Sequence, residues 1–242
     1  MKFKNSSFAL FFRFFPKLFS AGVIYSASLA VCVGLFALIG YVSGFNNIIV
    51  LGLGIIPSTP MLSGLVMIIR KIAIEKKNVK LLSTYFEAVK ENYKIFLIHG
   101  VVLYLITACT FFSVLYYGSL AAVNITYASI LTIYMLFTAI LITAFFYIPV
   151  MSVTYELGIK DIYRNSFLLV FGNILKNILS LIIIVVLSLT VFYSIIFTDG
   201  VFRIITVIIS AALYPLLVKY ISISLISGGL QENVGSITET DV

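Results

Sequence analysis

Six long apolar stretches constrain this chain more than any other feature of its sequence. They run over residues 19–42, 47–69, 95–117, 127–152, 177–197 and 203–224. Each is long enough to cross a hydrocarbon layer of about 30 Å as a helix. The first five hold no Asp, Glu, Lys or Arg in their interiors. A charge there would cost about 2.5–3.5 kcal/mol at mid-bilayer, so their absence is what lipid demands. The sixth holds Lys219, near enough to its end for the ammonium to snorkel along its own stem. The pattern predicts an all-α integral membrane protein with six transmembrane helices, one domain over 1–228, then a polar cytoplasmic tail, 229–242.

Composition agrees. The 242 residues are 62% hydrophobic and 10% charged, against about 45–50% and about 25% in soluble domains. No soluble interior of this size hides so much apolar surface. The formal charge of +7 would suggest nucleic acid in a soluble chain, but here its placement decides. The first, third and fifth connections (43–46, 118–126, 198–202) carry no Lys or Arg. The N-terminus carries Lys2, Lys4, Arg13 and Lys17; the second connection Arg70, Lys71, Lys76, Lys77, Lys80, Lys90 and Lys94; the fourth Lys160, Arg164 and Lys176. With Lys219, every basic residue but Arg203 falls on one side. The positive-inside rule then predicts both termini in the cytoplasm, and no nucleic-acid partner.

The apolar stretch that follows Lys17 is too long for a signal h-region of about 7–15 residues, so it reads as a retained span. Cys32 and Cys109 both lie in apolar runs and read as small hydrophobes, without paired-thiol or metal spacing. The sequons at Asn5 and Asn124 matter only in a secretory pathway, which is not expected here.

The two long basic connections carry helical periodicity. In 79–94, Leu82, Tyr85, Phe86, Val89 and Tyr93 share one stripe, opposite Glu87, Glu91 and Lys94. In 159–176, Ile159, Tyr163, Phe167, Val170, Phe171 and Ile174 oppose Asp161, Arg164, Asn165 and Lys176. Both predict amphipathic helices at the membrane surface or against the span ends, and the Phe-rich residues 8–17 look like a third. A threefold repeat follows, with units 1–75, 79–156 and 158–228, each a surface helix, a span, a short turn and a second span. Every second span carries proline: Pro57 and Pro60, Pro149, Pro215. Convergent membrane composition could produce part of this likeness.

Proline removes a backbone hydrogen bond and kinks a helix. Pro57-Ser58-Thr59-Pro60, after Gly52 and Gly54, is therefore the predicted locally broken helix, where freed backbone groups could meet a ligand or partner. A packing kink is the plainer reading. Gly54, Pro57, Ser58, Thr59 and Pro60 form the candidate site. Arg70, Lys71, Lys76, Lys77, Lys80, Lys90 and Lys94 form a second candidate, a contact for anionic lipid heads or an acidic cytoplasmic partner.

The run Pro60-Met61-Leu62-Ser63-Gly64-Leu65 leads to Arg70-Lys71, followed by the Tyr85–Lys94 segment YFEAVKENYK and later by Ile162-Tyr163-Arg164-Asn165-Ser166-Phe167. These stretches resemble the bacterial YesL-like membrane family, a domain of unknown function. That family has a Pro/Thr/Gly turn, a helix ending Arg-Lys, and a Phe-rich helix ending Lys-x-Asn-Phe-Lys. Here Thr59 stands where the family usually pairs Gly with Pro, and Pro57 is extra. The resemblance implies a bacterial plasma-membrane location and a setting beside carbohydrate ABC importers and glycan-degrading enzymes. It offers no catalytic residue to transfer.

Chemistry at membrane depth has few candidates. His99 is the sole histidine, so a two-histidine metal site within one chain is impossible; a hydrogen bond across helices is its expected role. No carboxylate lies within a span for acid–base work or ion coupling. The chain is therefore expected to be no enzyme and to need no cofactor or metal. Small residues Ala21, Gly22, Ser26 and Ala30 permit close helix approach, to a partner, to a second copy or within the chain. An accessory or regulatory subunit for ABC-type carbohydrate uptake is the leading expectation. The alternatives are a passive carrier of a small neutral solute, with Asn46, Asn47, Ser58, Thr59 and Asn124 as polar contacts or plain turn residues, and a scaffold without a transport role.

Overall fold

The computed structural model describes residues 7–45 and 47–240, with side chains over 8–45 and 47–225. Asn46, Asn5, Lys2 and Lys4 lie outside the described residues. Among the described residues the fold is all helical, and six helical segments are long and apolar enough to cross a membrane. The helices are α1 (Ser7–Arg13), α2 (Phe15–Ser43), α3 (Ile48–Gly52), α4 (Ile55–Ala73), α5 (Leu81–Ala121), α6 (Ile125–Thr154), α7 (Ile159–Gly172), α8 (Ile174–Ile196) and α9 (Gly200–Thr240). Backbone helix thus runs into the predicted tail; the side chains of 226–240 lie outside the described residues.

The predicted surface helix 79–94 and the third span are one continuous helix, α5. Nothing interrupts it, because no Gly or Pro stands between Leu81 and His99. At 1.5 Å per residue its length is roughly 60 Å, about twice a hydrocarbon core. The other two units break at the matching place. Phe14 leaves helical geometry before Pro16, which lies in the first turn of α2, where the N–H that proline lacks would have no helical partner. Asn173, just after Gly172, takes φ −125° and ψ 39° between α7 and α8. Asn92, its counterpart in the predicted repeat, stays helical, yet both asparagine amides donate to the carbonyl four residues back, on Ala88 and Leu169.

Short capped turns join the spans at the end without basic clusters. Gly44 ends α2 at φ 74°, a conformation that favours glycine. Asn47 accepts from Ile49 N and Val50 N, and Asn124 accepts from Thr126 N. These are N-caps, so both asparagines are turn residues.

The core lies toward the other, basic end, with α4 at its centre. Leu65, Val66, Ile68, Ile69 and Ile72 of α4, Tyr85 and Phe96 of α5, Tyr147, Ile148 and Met151 of α6, Ile162 of α7 and Leu216 and Ile223 of α9 are all buried. Side-chain bonds tie this end together: Lys17 to Asn78 Oδ1 and Val79 O, Arg70 to Val153 O, and Ser63 to Ala88 O. The predicted apolar stripe of 79–94 divides. Tyr85 is buried, but Leu82, Phe86 and Tyr93 are 61%, 50% and 52% exposed. The face turned to the core is instead Tyr85, Ala88, Phe96, His99 and Gly100. Periodicity marks an apolar arc without saying which edge meets protein and which meets lipid. In α7 likewise, Ile162, Ser166, Leu169 and Val170 face inward while Ile159 and Phe171 are exposed.

Small residues let the helices approach. A Cβ on Gly22 would sit 2.9 Å from Ala212 O, and Ser26 Oγ donates to Ala211 O at 2.7 Å. Ala21 is fully buried, whereas Ala30 is exposed. Two of the four small residues, Gly22 and Ser26, therefore serve the contact between α2 and α9.

Candidate functional site

The interruption of the second span falls at Gly54, the first residue of the candidate set, and Pro57–Pro60 themselves are helical. The second span is pinched at Leu53 and Gly54, between α3 and α4, and both residues keep right-handed helical dihedrals. Gly54 N donates to Leu51 O at 3.1 Å and Ile56 N to Leu53 O at 3.1 Å, the tighter i→i−3 pattern of a 3₁₀ turn. The cause is contact with α2: a Cβ on Gly54 would lie 2.6 Å from Val33 Cα and 2.7 Å from its nitrogen. Pro57 falls in the first turn of α4, where its missing N–H would have no helical partner anyway. Pro57 alone of the candidate set is exposed; Gly54, Ser58, Thr59 and Pro60 are buried. Ser58 Oγ and Thr59 Oγ1 both donate back to Ile55 O, so neither hydroxyl offers its proton to a ligand. Beside the pinch, Ile49, Gly52, Ile55, Tyr104, Thr107 and Phe111 line a small apolar recess of about 70 Å³.

Two of the three prolines inside helices share a solution. A proline at position i leaves the carbonyl of i−4 without its helical donor, and in a membrane that group needs another partner. Pro215 frees Ala211 O, which receives Ser26 Oγ. Pro149 frees Phe145 O, which receives Lys219 Nζ at 3.1 Å. Lys219 thus turns inward to a carbonyl, a destination that snorkelling alone does not predict. Pro60 frees Ile56 O, and there α5 comes close instead: a Cβ on Gly100 would lie 3.0 Å from that oxygen and 2.5 Å from Thr59 Oγ1.

The most concentrated polar cluster surrounds His99, which is 1% exposed. Its Nε2 lies 2.8 Å from Ser152 Oγ, and its Nδ1 lies 3.0 Å from Tyr163 OH. Ser152 Oγ spends its own proton on Ile148 O at 2.8 Å, so it accepts from Nε2–H. Nδ1 then accepts from the Tyr163 hydroxyl, which burial holds protonated with its pKa pushed up to about 12. One neutral imidazole therefore joins α5, α6 and α7. The direction of the bond is opposite to that in which an imidazole takes a proton from a serine nucleophile. A parallel link runs from Tyr147 OH to Asn177 Oδ1 at 2.9 Å, with Asn177 Nδ2 donating to Val170 O. The sequence placed His99 across helices; Ser152, Tyr163 and Asn177 were not singled out, since scattered hydroxyls in spans carry no spacing signal.

The basic candidates separate. Arg70 is tied within the chain, donating to Val153 O at 3.0 Å and pairing with Glu75 at 2.8 Å, while Lys77 pairs with the other Glu75 oxygen at 3.0 Å. Lys76 (φ 56°) turns the chain after α4. Lys71 is half-buried; Lys76, Lys77, Lys80, Lys90 and Lys94 are exposed. Lys90 and Lys94 border one surface hollow with Glu91 and Tyr93. Among the described residues, no three His, Cys, Asp or Glu side chains converge as metal ligands would.

No curated protein and no solved structure matches the chain. A family model described as a protein of unknown function, DUF624, matches residues 43–114, the segment that runs from the end of α2 through the pinch, α4 and most of α5.

Proposed function

We propose that this chain is a non-enzymatic accessory or regulatory subunit associated with carbohydrate uptake by ABC-type importers, set in the bacterial plasma membrane with both termini in the cytoplasm. The observation that carries the accessory role is the pinning of the second span. Gly54 lies on the backbone of α2, Gly64 holds the Tyr85 ring and Gly100 passes over Thr59, each too close for a Cβ. A span held at three close contacts, one with α2 and two with α5, suits a rigid body that presents surface to others better than an element that must move a solute. The large apolar exposure of α8, whose Leu175, Val186, Phe192 and Ile196 all face outward, provides that surface. The carbohydrate setting is supported by the resemblance to the YesL-like family, and the orientation by the basic connections.

The passive carrier is the second reading, favoured by the pinch and its adjoining recess. That recess is apolar and, at about 70 Å³, far below the 300–1,000 Å³ of typical small-molecule sites. Affinity purification from native membranes in mild detergent, followed by mass spectrometry, separates the two. Stoichiometric recovery of sugar-importer permease or ATPase subunits is expected. Recovery of the chain alone, with sugar entering liposomes that contain only this protein, would replace the accessory reading with the carrier.

A further inference from the structure

We infer that the exposed face of α5 between Glu87 and Lys94 is a contact surface for a second copy of this chain, the two segments lying antiparallel about a twofold axis along the membrane normal. Glu87, Lys90, Glu91 and Lys94 recur at three- and four-residue spacing, so they share one face of the helix, and all four are exposed. Phe86 and Tyr93, half exposed, border that face. Among the described residues none of the four charges is in an ion pair.

The order of signs selects the partner. Two acids and two bases leave the face without net charge, so an anionic lipid surface would gain at the lysines and lose at the glutamates. A twofold axis between Lys90 and Glu91 instead sets Glu87 against Lys94 of the partner subunit, and Lys90 against Glu91 of the partner subunit, with the reverse by symmetry. Every charge then meets its opposite, and the bordering aromatic rings supply the kind of surface that interfaces favour. Parallel pairing would set like against like.

Copies in one membrane share an orientation, so their helices can oppose antiparallel only where they lie toward the membrane plane. The contacts with α4 turn this half of α5 that way. Ser63 Oγ donates to Ala88 O at 3.2 Å, and a Cβ on Gly100 would lie 2.5 Å from Thr59 Oγ1. From Ala88 to Gly100 is twelve residues of α5, roughly 18 Å, whereas from Thr59 to Ser63 is four residues of α4, roughly 6 Å. Helices running side by side advance equally, so α5 here crosses α4 steeply. The inference is independent of any role in sugar uptake.

The test uses the full chain in phosphatidylcholine liposomes, as a mixture of donor- and acceptor-labelled copies whose energy transfer is followed as lipid dilutes the protein. Wild type is expected to dimerise. Glu87→Lys and Lys94→Glu, each facing a like charge at two symmetric points, should each dissociate at least about tenfold more readily. Mixing the two variants restores opposite signs at both points and should restore the transfer, a rescue that only contact between copies can give. Wild type that stays monomeric, reversals without effect or a mixture without rescue would each overturn the surface. Should either variant fail to fold, zero-length carbodiimide coupling of the wild type in membranes decides. A Glu87–Lys94 cross-link between copies supports the contact. Its absence, or coupling of Lys90 or Lys94 to acids of the C-terminal tail instead, overturns it.

Discussion

The two ends of this molecule are built on different terms. At the basic end, α4 is enclosed by α2, α5, α6 and α9, and polar groups are paired across helices, as in His99 with Ser152 and Tyr163 or Arg70 with Val153 and Glu75. At the other end, large apolar side chains such as Leu35, Leu115, Leu136, Phe192 and Phe202 face outward. Hydroxyls there mostly bond to their own helix, as Thr132 does to Ala128 O and Thr190 to Val186 O. The contrast teaches that apolar content and cohesion are separate properties in lipid. Lipid tails are as apolar as leucine, so helices associate through close packing and hydrogen bonds rather than through hydrophobicity. The basic end has both.

The sharpest way to break this comparison is to place equal bulk at each end. Gly64→Leu, driven into the buried Tyr85 ring at the basic end, is expected to cost about 3 kcal/mol or to prevent folding. Gly118→Leu, with nothing within 4 Å of its Cβ, should stay within about 0.5 kcal/mol of wild type. Unfolding midpoints in a detergent titration measure both; equal losses would dissolve the distinction. Truncation gives the next effect. Leu65→Ala empties fully buried space and should cost about 2–3 kcal/mol, against little for Leu136→Ala, read as thermal stability in one lipid mixture.

Smaller effects sharpen the polar side of the contrast. Ser152→Ala strands the His99 Nε2 proton and should lower stability by about 1 kcal/mol. Thr190→Ala should be neutral. Faster amide exchange at the α6–α7 junction in the serine variant alone would tie the loss to that cluster, whereas uniform exchange would not. The smallest shift is expected at the surface of the basic end. Glu75→Gln breaks its pairs with Arg70 and Lys77 at a cost of about 0.5 kcal/mol, and proteolysis after Lys76 or Lys77 should quicken. Unchanged cleavage would mean that the turn is held by its backbone.

Most of this division was beyond the reach of sequence. Span number and approximate limits follow from the apolar runs, because lipid imposes length and excludes charge regardless of neighbours. Continuity and facing do not. Residues 79–94 have the pattern of a separate surface helix, yet only a Gly or Pro would have ended it there, as Gly172-Asn173 ends α7. Leu82 is the more apolar of the two, yet Tyr85 is the one buried, because its ring fits the space beside Gly64 and its hydroxyl donates to Met61 O. Pro57 and Pro60 drew attention to the correct span, and of the candidate set it is Gly54 that lies at the deformation, which comes from its approach to α2. The His99 cluster was half legible: a lone histidine in a span announces a hydrogen bond, but its partners lie 53 and 64 residues away.

The carbonyls opposite the prolines bear on how such a chain can change over generations. Replacing Pro149 alone returns a helical donor to Phe145 O and leaves Lys219 with nothing to hold. Replacing Lys219 alone strands the carbonyl. The two losses in a double-mutant cycle should therefore fall short of adding, and so should those at Pro215 and Ser26. Substitutions at these two pairs are therefore expected to be coupled across 70 and 189 residues of chain, each proline and its distant donor acting as a single letter written in two places.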